Sequence, residues 1–202
     1  MNLRTELPTA ENSSNLNAVA DAATKAGTTL ENLKAAVAGE TGASAKYAAF
    51  AKAAKEQGFD QLARLWEATS AAEQIHINLE ASLVEAEDPS YTRPTAEAPA
   101  PEAIDLNLIA SANGEIFETS DMYPTFIKKA QEEGHAKAVK VFTRAKLAEA
   151  VHAEKYLEAY NNIDAADDDA YYLCPGCGYI HKGDDFEKCP ICGVPKAKFQ
   201  RF

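Results

Sequence analysis

The feature that most constrains the fold is an internal repeat. Residues 32–40 (NLKAAVAGE) align with residues 107–115 (NLIASANGE), and the motif Glu-x-x-His at 73–76 recurs at 149–152. Apolar positions in both copies recur at the spacing of amphipathic helices. The sequence therefore predicts two copies of one helical hairpin, which together form an all-α four-helix bundle.

Start and stop signals set the helix limits. Thr28 and Glu31 form a capping-box pattern before the first helix, and Gly58 is a suitable C-terminal stop. Residues 87–103 are rich in proline and are expected to be extended. Such a segment reaches about 50 Å, which is enough to travel the length of a helix of about 42 Å. The expected helices therefore run over 28–57, 60–86, 102–134 and 135–161, with one long crossover between the second and the third.

The two copies differ in length by one residue. The offset is 75 between Glu40 and Glu115 but 76 between Gly58 and Gly134, so the second copy carries one extra residue in its first helix. A helix usually absorbs such an insertion as a π-bulge, and these bulges are frequent at functional sites. We expect a π-bulge between Glu115 and Pro124, where the proline also favours irregularity.

Ionisable residues lie in the middle of all four predicted core stripes. The first and third helices each contribute a glutamate, and the other two each contribute a Glu-x-x-His motif. Carboxylates buried together lose hydration and repel one another unless cations lie among them. This ligand set is typical of di-iron and di-manganese bundles, because carboxylate oxygen and imidazole suit both metals. The candidate ligands are Glu40, Glu73, His76, Glu115, Glu149 and His152.

Glu118 breaks the symmetry of the repeat, because its counterpart in the first copy is Ala43. It falls on the metal-facing stripe, three residues after Glu115, and lies beside the inferred insertion. One interpretation is a glutamate outside the ligand shell or on the surface. We favour the other interpretation, in which Glu118 is a seventh ligand.

The C-terminal segment contains two Cys-x-x-Cys motifs, a strong signal for a four-thiolate metal site in a reducing compartment. About 32 residues cannot form a stable core alone, so the metal must supply folding energy. The spacing leaves structural zinc and a single redox iron both open. The neighbouring redox-active metal pair favours iron, because it needs an electron source. The four ligands are Cys174, Cys177, Cys189 and Cys192.

The net charge of −11 argues against nucleic acid and anionic membrane surfaces as partners. No stretch approaches the roughly 18 apolar residues of a membrane span, and the first residues lack the apolar core of a secretory signal. We therefore expect a cytoplasmic protein. We divide it into an N-terminal extension (1–27) with a short helix over 15–26, the bundle (28–162), an acidic linker (163–170) and a small metal domain (171–202).

Together these motifs resemble those of rubrerythrin, a ferritin-like di-iron bundle followed by a rubredoxin-like domain. The resemblance covers residues 28–202 and implies two Fe in the bundle and one Fe in the four-cysteine site, with Zn as the alternative there. It is carried by Ala-Gly-Glu40, Glu73-x-x-His76, Ala-Asn-Gly-Glu115-x-x-Glu118, Met122-Tyr123-Pro124, Glu149-x-x-His152 and the Cys-Pro-Gly-Cys-Gly that begins at Cys174.

The resemblance implies a peroxidase that reduces hydrogen peroxide to water in defence against oxidative stress. In such proteins Glu73 and Glu149 would bridge the irons, Glu40 and Glu115 would be terminal ligands, and His152 would bind one iron.

The resemblance also assigns catalytic roles to four residues. One iron would take Glu118 as a ligand when oxidised and His76 when reduced. Tyr47 and Tyr123 match family tyrosines near the site. Their ordinary role would be core packing, with each hydroxyl bonded to a ligand carboxylate.

Partners follow from the same resemblance. It implies a homodimer in which the cysteine-site iron of one subunit serves the di-iron site of the other. Electrons are expected from NAD(P)H through a separate reductase or rubredoxin, because the chain has no dinucleotide-binding fingerprint. Two alternatives stay open for the same site: an oxidase or ferroxidase that reduces O2, and a non-enzymatic iron-handling protein with a zinc knuckle.

Overall fold

Four long helical stretches pack side by side in the computed structural model, which describes residues 23–163 and 168–202. This architecture confirms the expected helical bundle of two hairpins. The helices are α1 (Thr29–Glu56), α2 (Asp60–Glu87), α3 (Ile104–Phe117), α4 (Tyr123–Glu132) and α5 (Ala136–Asn161), and a π-helical turn (Glu118–Met122) joins α3 to α4.

The helix ends follow the expected signals. The Thr28 hydroxyl accepts a hydrogen bond from the Glu31 backbone N–H, and the Glu31 carboxylate accepts one from the Thr28 N–H, which completes the capping box at α1. Gly58 and Gly134 have φ angles of 83° and 68° and form the turns within the two hairpins. Glycine enters this left-handed region without the steric cost of a Cβ. Residues 88–103 contain no helix or strand and connect the hairpins, as expected of the crossover.

The π-helical turn lies inside the interval expected for the extra residue, so that prediction is confirmed. The Tyr123 N–H donates to the Glu118 carbonyl, five residues back along the chain. The helix expected over 102–134 is therefore observed as α3, the π-helical turn and α4, from Ile104 to Glu132. One more residue has to fit into the length of its counterpart, and a wider turn accommodates it.

The C-terminal segment forms a small antiparallel sheet in the strand order β2–β1–β3, with β1 at Tyr171–Leu173, β2 at Ile180–Lys182 and β3 at Gln200–Arg201. Its apolar side chains Tyr171, Leu173 and Ile180 are buried in one cluster with Trp66 of α2 and Tyr156 of α5. The sheet therefore packs directly onto the bundle through α2 and α5.

No helix in the described ranges is long and apolar enough to cross a membrane. The helix expected over 15–26 falls mostly outside the described residues, and residues 23–26 are not helical. The division into 1–27, 28–162, 163–170 and 171–202 stays a prediction.

Candidate metal centre

Two groups of buried ligand atoms lie at the centre of the bundle. In each group, one atom from every member lies within 4.8 Å of all the others. Glu73 and Glu149 belong to both groups, which therefore form one continuous site with two metal positions. The first group is Glu40, Glu73, His76 and Glu149, and the second is Glu73, Glu115, Glu149 and His152.

Both histidines direct one ring nitrogen into the site and the other away from it. Nδ1 of His76 lies 2.6 Å from Glu149 Oε1 and 3.1 Å from Glu73 Oε2, and Nδ1 of His152 lies 2.6 Å from Glu149 Oε2. The outer nitrogens contact backbone carbonyls of the cysteine domain, Nε2 of His76 at 3.0 Å from Cys177 O and Nε2 of His152 at 2.9 Å from Gly178 O. These contacts fix both rings so that Nδ1 faces the metal positions.

Two tyrosines make hydrogen bonds that link the two halves of the repeat. Tyr47 donates its hydroxyl proton to Glu115 Oε1 at 2.5 Å, and Tyr123 hydrogen-bonds to Glu40 Oε1. Each tyrosine therefore holds the carboxylate contributed by the opposite half. The bonds leave the second oxygen of each carboxylate free to face a metal.

The site holds more acidic groups than it can neutralise internally. Burial and the neighbouring carboxylates raise the pKa of Glu40, Glu73 and Glu115, and that of Glu115 reaches about 8. Burial also acts to raise the Glu149 pKa, but His76 and His152 beside it bring the value below the ordinary range. Burial alone would lower the pKa of the two imidazoles, yet Glu149 raises both.

Several buried polar atoms in the site make no hydrogen bond of good geometry among the described residues, and the close contacts of Glu149 with the two imidazoles are no exception. They are Glu40 Oε2, Glu73 Oε1, Glu115 Oε2, both carboxylate oxygens of Glu149, and His152 Nδ1. Unpaired polar atoms of this kind are costly unless something binds them. Carboxylate and imidazole donors with unused lone pairs fit a pair of iron ions, which would supply the missing positive charge.

Glu118 lies beside the two groups but belongs to neither of them. Its side chain, on the π-helical turn, is half-buried, and its charge is close enough to raise the pKa of Glu40. The structure therefore shows the arrangement in which His76, and not Glu118, completes the first group.

One buried acidic residue escaped the sequence interpretation. Glu80 is fully buried, whereas the apolar Leu83, three residues further along α2, is only half-buried. Glu80 follows His76 by four residues and therefore lies on the same helix face. This spacing was the available signal, and the preference for an apolar side chain concealed it.

The four cysteine sulfurs form a second compact group. Sγ of Cys174 lies 3.4 Å from Sγ of Cys192, and Sγ of Cys177 lies 3.5 Å from Sγ of Cys189. The backbone turns of the two knuckles match, since Gly178 N donates to Cys174 O and Gly193 N donates to Cys189 O. A hydrogen bond from the Cys177 thiol lowers the pKa of Cys174 to about 5, while the same bond and burial raise the pKa of Cys177, so the four sulfurs would not all ionise without a cation among them.

The cysteine domain approaches the bundle most closely at Gly178. A Cβ built on this residue would lie under 3.0 Å from the His76 ring, whereas one built on Gly193 would meet nothing within 4 Å. Both glycines have left-handed φ angles, 77° and 78°. The absence of a side chain at Gly178 therefore permits both the left-handed turn and the close packing of the cysteine domain against His76.

Comparisons with known proteins agree with this geometry. The family model described as rubrerythrin matches residues 31–160, and the model of the rubrerythrin rubredoxin-like domain matches residues 172–200. The chain belongs to the rubrerythrin family. It is therefore a di-iron protein of an oxidoreductase family, with an appended rubredoxin-like domain, as its motifs led us to expect.

Individual relatives match along the whole chain. Nigerythrin of Nitratidesulfovibrio vulgaris is 66% identical over 202 residues, and the match covers all of both chains. Rubrerythrin of the same organism is 34% identical and covers 87% of this chain and 95% of its own. A solved structure of nigerythrin in its fully reduced, all-ferrous state superposes with a TM-score of 0.89 and covers both chains completely.

The Gly178 contact can be tested with a matched pair of variants. Alanine at either 178 or 193 has to adopt a left-handed backbone conformation, which lowers the free energy of unfolding by about 1–2 kcal/mol. Only Gly178→Ala also collides with His76, so we expect it to lose about 1–3 kcal/mol more stability than Gly193→Ala. Denaturant unfolding of the iron-loaded proteins measures the difference, and equal losses would contradict the close approach.

Metal removal should make stability depend on pH in a defined direction. The raised pKa values of the site carboxyls and imidazoles mean that the metal-free folded state binds more protons than the unfolded chain between about pH 4.5 and 8. We therefore expect the chelated protein to lose stability as pH rises through this interval, by up to about 1.4 kcal/mol per pH unit for each group. The lowered pKa of Glu149 acts only at lower pH.

Melting temperatures at about pH 5 and pH 8, with and without chelator, measure this effect. The iron-loaded protein is the control, because bound iron replaces the protons, and its stability should not fall over the interval. A chelated protein that becomes more stable towards pH 8 would show that the carboxyls are not protonated.

Proposed function

We propose that this chain is a non-haem di-iron peroxidase that reduces hydrogen peroxide to water in defence against oxidative stress. Its electrons would pass through an iron held by the four cysteines. The reaction takes up two electrons and two protons and yields two waters. The observation that carries the proposal is the direct contact of both site histidines with adjacent carbonyls of the cysteine domain of the same chain. Delivery of electrons between subunits, which the resemblance implies, stays a prediction.

We assign the proposed ligand roles from the two groups of buried ligand atoms described above. Glu73 and Glu149 are common to both groups and would bridge the metals, while Glu40 and Glu115 each belong to one group and would be terminal ligands. His152 would bind in the second group. When bound, the iron pair would supply the two electrons that cleave the O–O bond.

We propose that Glu118 and His76 exchange as ligands of the first metal position. His76 is within reach of three carboxylates there, and Glu118 lies on the irregular turn next to it. A π-helical turn provides weaker and wider backbone hydrogen bonding than an α-helix, so it can accommodate a side chain that changes position. Tyr47 and Tyr123 would hold Glu115 and Glu40 during the exchange.

The contact between the cysteine domain and the metal site supports electron entry through the four cysteines. Cys177 O contacts the His76 ring, and Cys177 Sγ belongs to the four-sulfur group, so one residue takes part in both sites. We propose that a separate NAD(P)H-linked reductase or a rubredoxin reduces this group. A cytoplasmic location would keep the four thiols reduced.

A homodimer is part of the proposal. Four large apolar side chains on the outer face of α3 are at least 39% exposed, and their spacing places them on one helical stripe. A second copy would cover such a stripe, and sedimentation of the iron-loaded protein at twice the chain mass would agree. A monomer would contradict it. The four residues are Leu106, Ile109, Ile116 and Phe117.

The function is tested by mixing the fully reduced, iron-loaded protein with peroxide or with O2 and following its oxidation optically. We expect the reaction with peroxide to be faster. A faster reaction with O2 would favour the oxidase or ferroxidase alternative. Metal analysis runs in parallel, and a colourless protein with zinc on the cysteines would exclude electron entry by this route.

Glu118→Ala separates the two interpretations of this residue. If Glu118 is the exchanging ligand, the variant should bind two irons in the reduced state but lose peroxide turnover by about a hundredfold or more. Glu115→Ala is the matched comparison, because it removes a terminal ligand and should lower the iron content itself. Unchanged turnover in Glu118→Ala would assign the residue a role outside the ligand shell.

A further inference from the structure

Glu80 is a fully buried carboxyl that belongs to neither ligand group. Its Oε1 lies 2.9 Å from the hydroxyl of Tyr123, and the same hydroxyl is hydrogen-bonded to Glu40 Oε1. Three oxygens are thus joined in a chain that runs from α2 through the helix after the π-helical turn to the ligand on α1.

The two hydrogen bonds that join these three oxygens need two protons, and the tyrosine supplies only one. A phenolic hydroxyl carries one proton and can donate to only one of the two carboxyls. If the Tyr123 proton is directed to Glu40, the contact with Glu80 requires a proton on Glu80. Burial raises the pKa of Glu80 to about 8, although His76 and Tyr123 act to lower it, and this direction agrees with the proton that the hydrogen-bond geometry requires.

The other half of the repeat has no such carboxyl. The counterpart of Glu80 is Tyr156, whose hydroxyl bonds to Thr69 and whose ring lies 5.5 Å from that of Tyr47. Tyr47 therefore donates to the Glu115 carboxylate, and the residue next to Tyr47 at the position equivalent to Glu80 is another tyrosine, Tyr156. Only the half that holds Glu40 has a second carboxyl behind the tyrosine, so general packing of the bundle does not explain Glu80.

The outer end of the chain points towards the crossover. Glu80 Oε2 and the Tyr91 hydroxyl are both buried without a hydrogen-bond partner among the described residues. Tyr91 is half-buried and near enough for the charge of Glu80 to act on its pKa, which burial raises. Tyr91 of the crossover is therefore close enough to Glu80 to sense the charge of this carboxyl.

We propose that Glu80 stores a proton behind Tyr123 and resupplies this tyrosine when it gives its own proton to the Glu40 end of the site. Glu80 acts through Tyr123 and touches neither metal ligands nor substrate, so it is a positioning residue for proton transfer. This role rests on the proposed peroxide reduction, which consumes two protons.

The transfer balances without any further reactant. The Tyr123 O–H bond breaks as its proton moves to Glu40 Oε1, to which it is hydrogen-bonded, and from there to a product oxygen. The Glu80 O–H bond breaks as a new O–H bond forms on Tyr123. Glu80 is left as a carboxylate and regains a proton from solvent between turnovers, through local opening of the structure. No electron moves in these steps, and one of the two protons per turnover is accounted for.

Infrared spectroscopy of the iron-loaded protein tests the stored proton independently of turnover. A protonated carboxyl has a C=O stretching band that shifts in heavy water. We expect this band at neutral pH in the native protein, its loss in Glu80→Gln and a shift in Tyr123→Phe. Tyr156→Phe, at the position equivalent to Glu80, should leave the band unchanged. A spectrum unaltered by Glu80→Gln would overturn the proposal.

Two substitutions at position 80 separate proton supply from packing. Glutamine keeps the volume and the hydrogen bond but has no acidic proton, whereas leucine removes both. We expect both variants to retain two irons and to be oxidised by peroxide at least about tenfold more slowly than the native protein. Restoration of the native rate by glutamine but not by leucine would reduce Glu80 to a packing role and overturn the proposal.

The two tests also distinguish this inference from the proposed function. If peroxide does not oxidise the native protein, the peroxidase proposal and with it the proton delivery to peroxide fail. The infrared band would still decide whether Glu80 holds a proton against Tyr123.

Discussion

The burial of carboxylates at the middle of the bundle is the constraint on which the rest of the structure depends. Four helices each place at least one acidic side chain where water cannot reach it, and only cations, imidazoles and hydroxyl groups are available as partners. Tyrosines occupy one oxygen of Glu40 and of Glu115, which leaves the inward oxygens for metal. Because each tyrosine comes from the opposite half, the same bonds tie the two hairpins together.

Much of this arrangement could be predicted because the chain repeats itself. The repeat located the candidate ligands of both halves, and a difference of one residue in its offset located the π-helical turn. Glu80 was missed for a physical reason: an acidic residue in a helix is ordinarily solvated, so hydropathy favours an apolar neighbour such as Leu83 for the core. Its spacing from His76 was the one sequence signal, and the contact with Tyr123, made across 43 positions of sequence, identifies it in the structure.

The position of the cysteine domain could not be predicted either. Its polar contacts with the histidines are made by backbone carbonyls, which every residue has, so the side-chain pattern carries no signal for them. Gly178 is the exception, but a glycine after the second cysteine of a knuckle is already explained by its left-handed turn. Its equivalent Gly193 has the same turn and no neighbour, so sequence alone could not tell the two apart.

The two metal positions differ although the scaffold is duplicated. Glu118 and Glu80 have no acidic counterpart in the repeat, and both act on the position that holds Glu40 and His76. The acidic groups that break the symmetry therefore lie at one metal position, although Glu80 comes from the first copy of the repeat and Glu118 from the second.

The carbonyls that hold the two histidines belong to consecutive residues, Cys177 and Gly178. Adjacent carbonyls of one short backbone segment therefore hold the two rings. If His76 moves, its contact with Cys177 O breaks, while the contact of His152 with Gly178 O remains. Because coupling free energies are reciprocal, whatever favours seating of the cysteine domain also favours the inward position of His76. The domain that would bring electrons thereby favours one position of a candidate metal ligand. A shift of the His76 ring would in turn weaken the binding between the cysteine domain and the bundle.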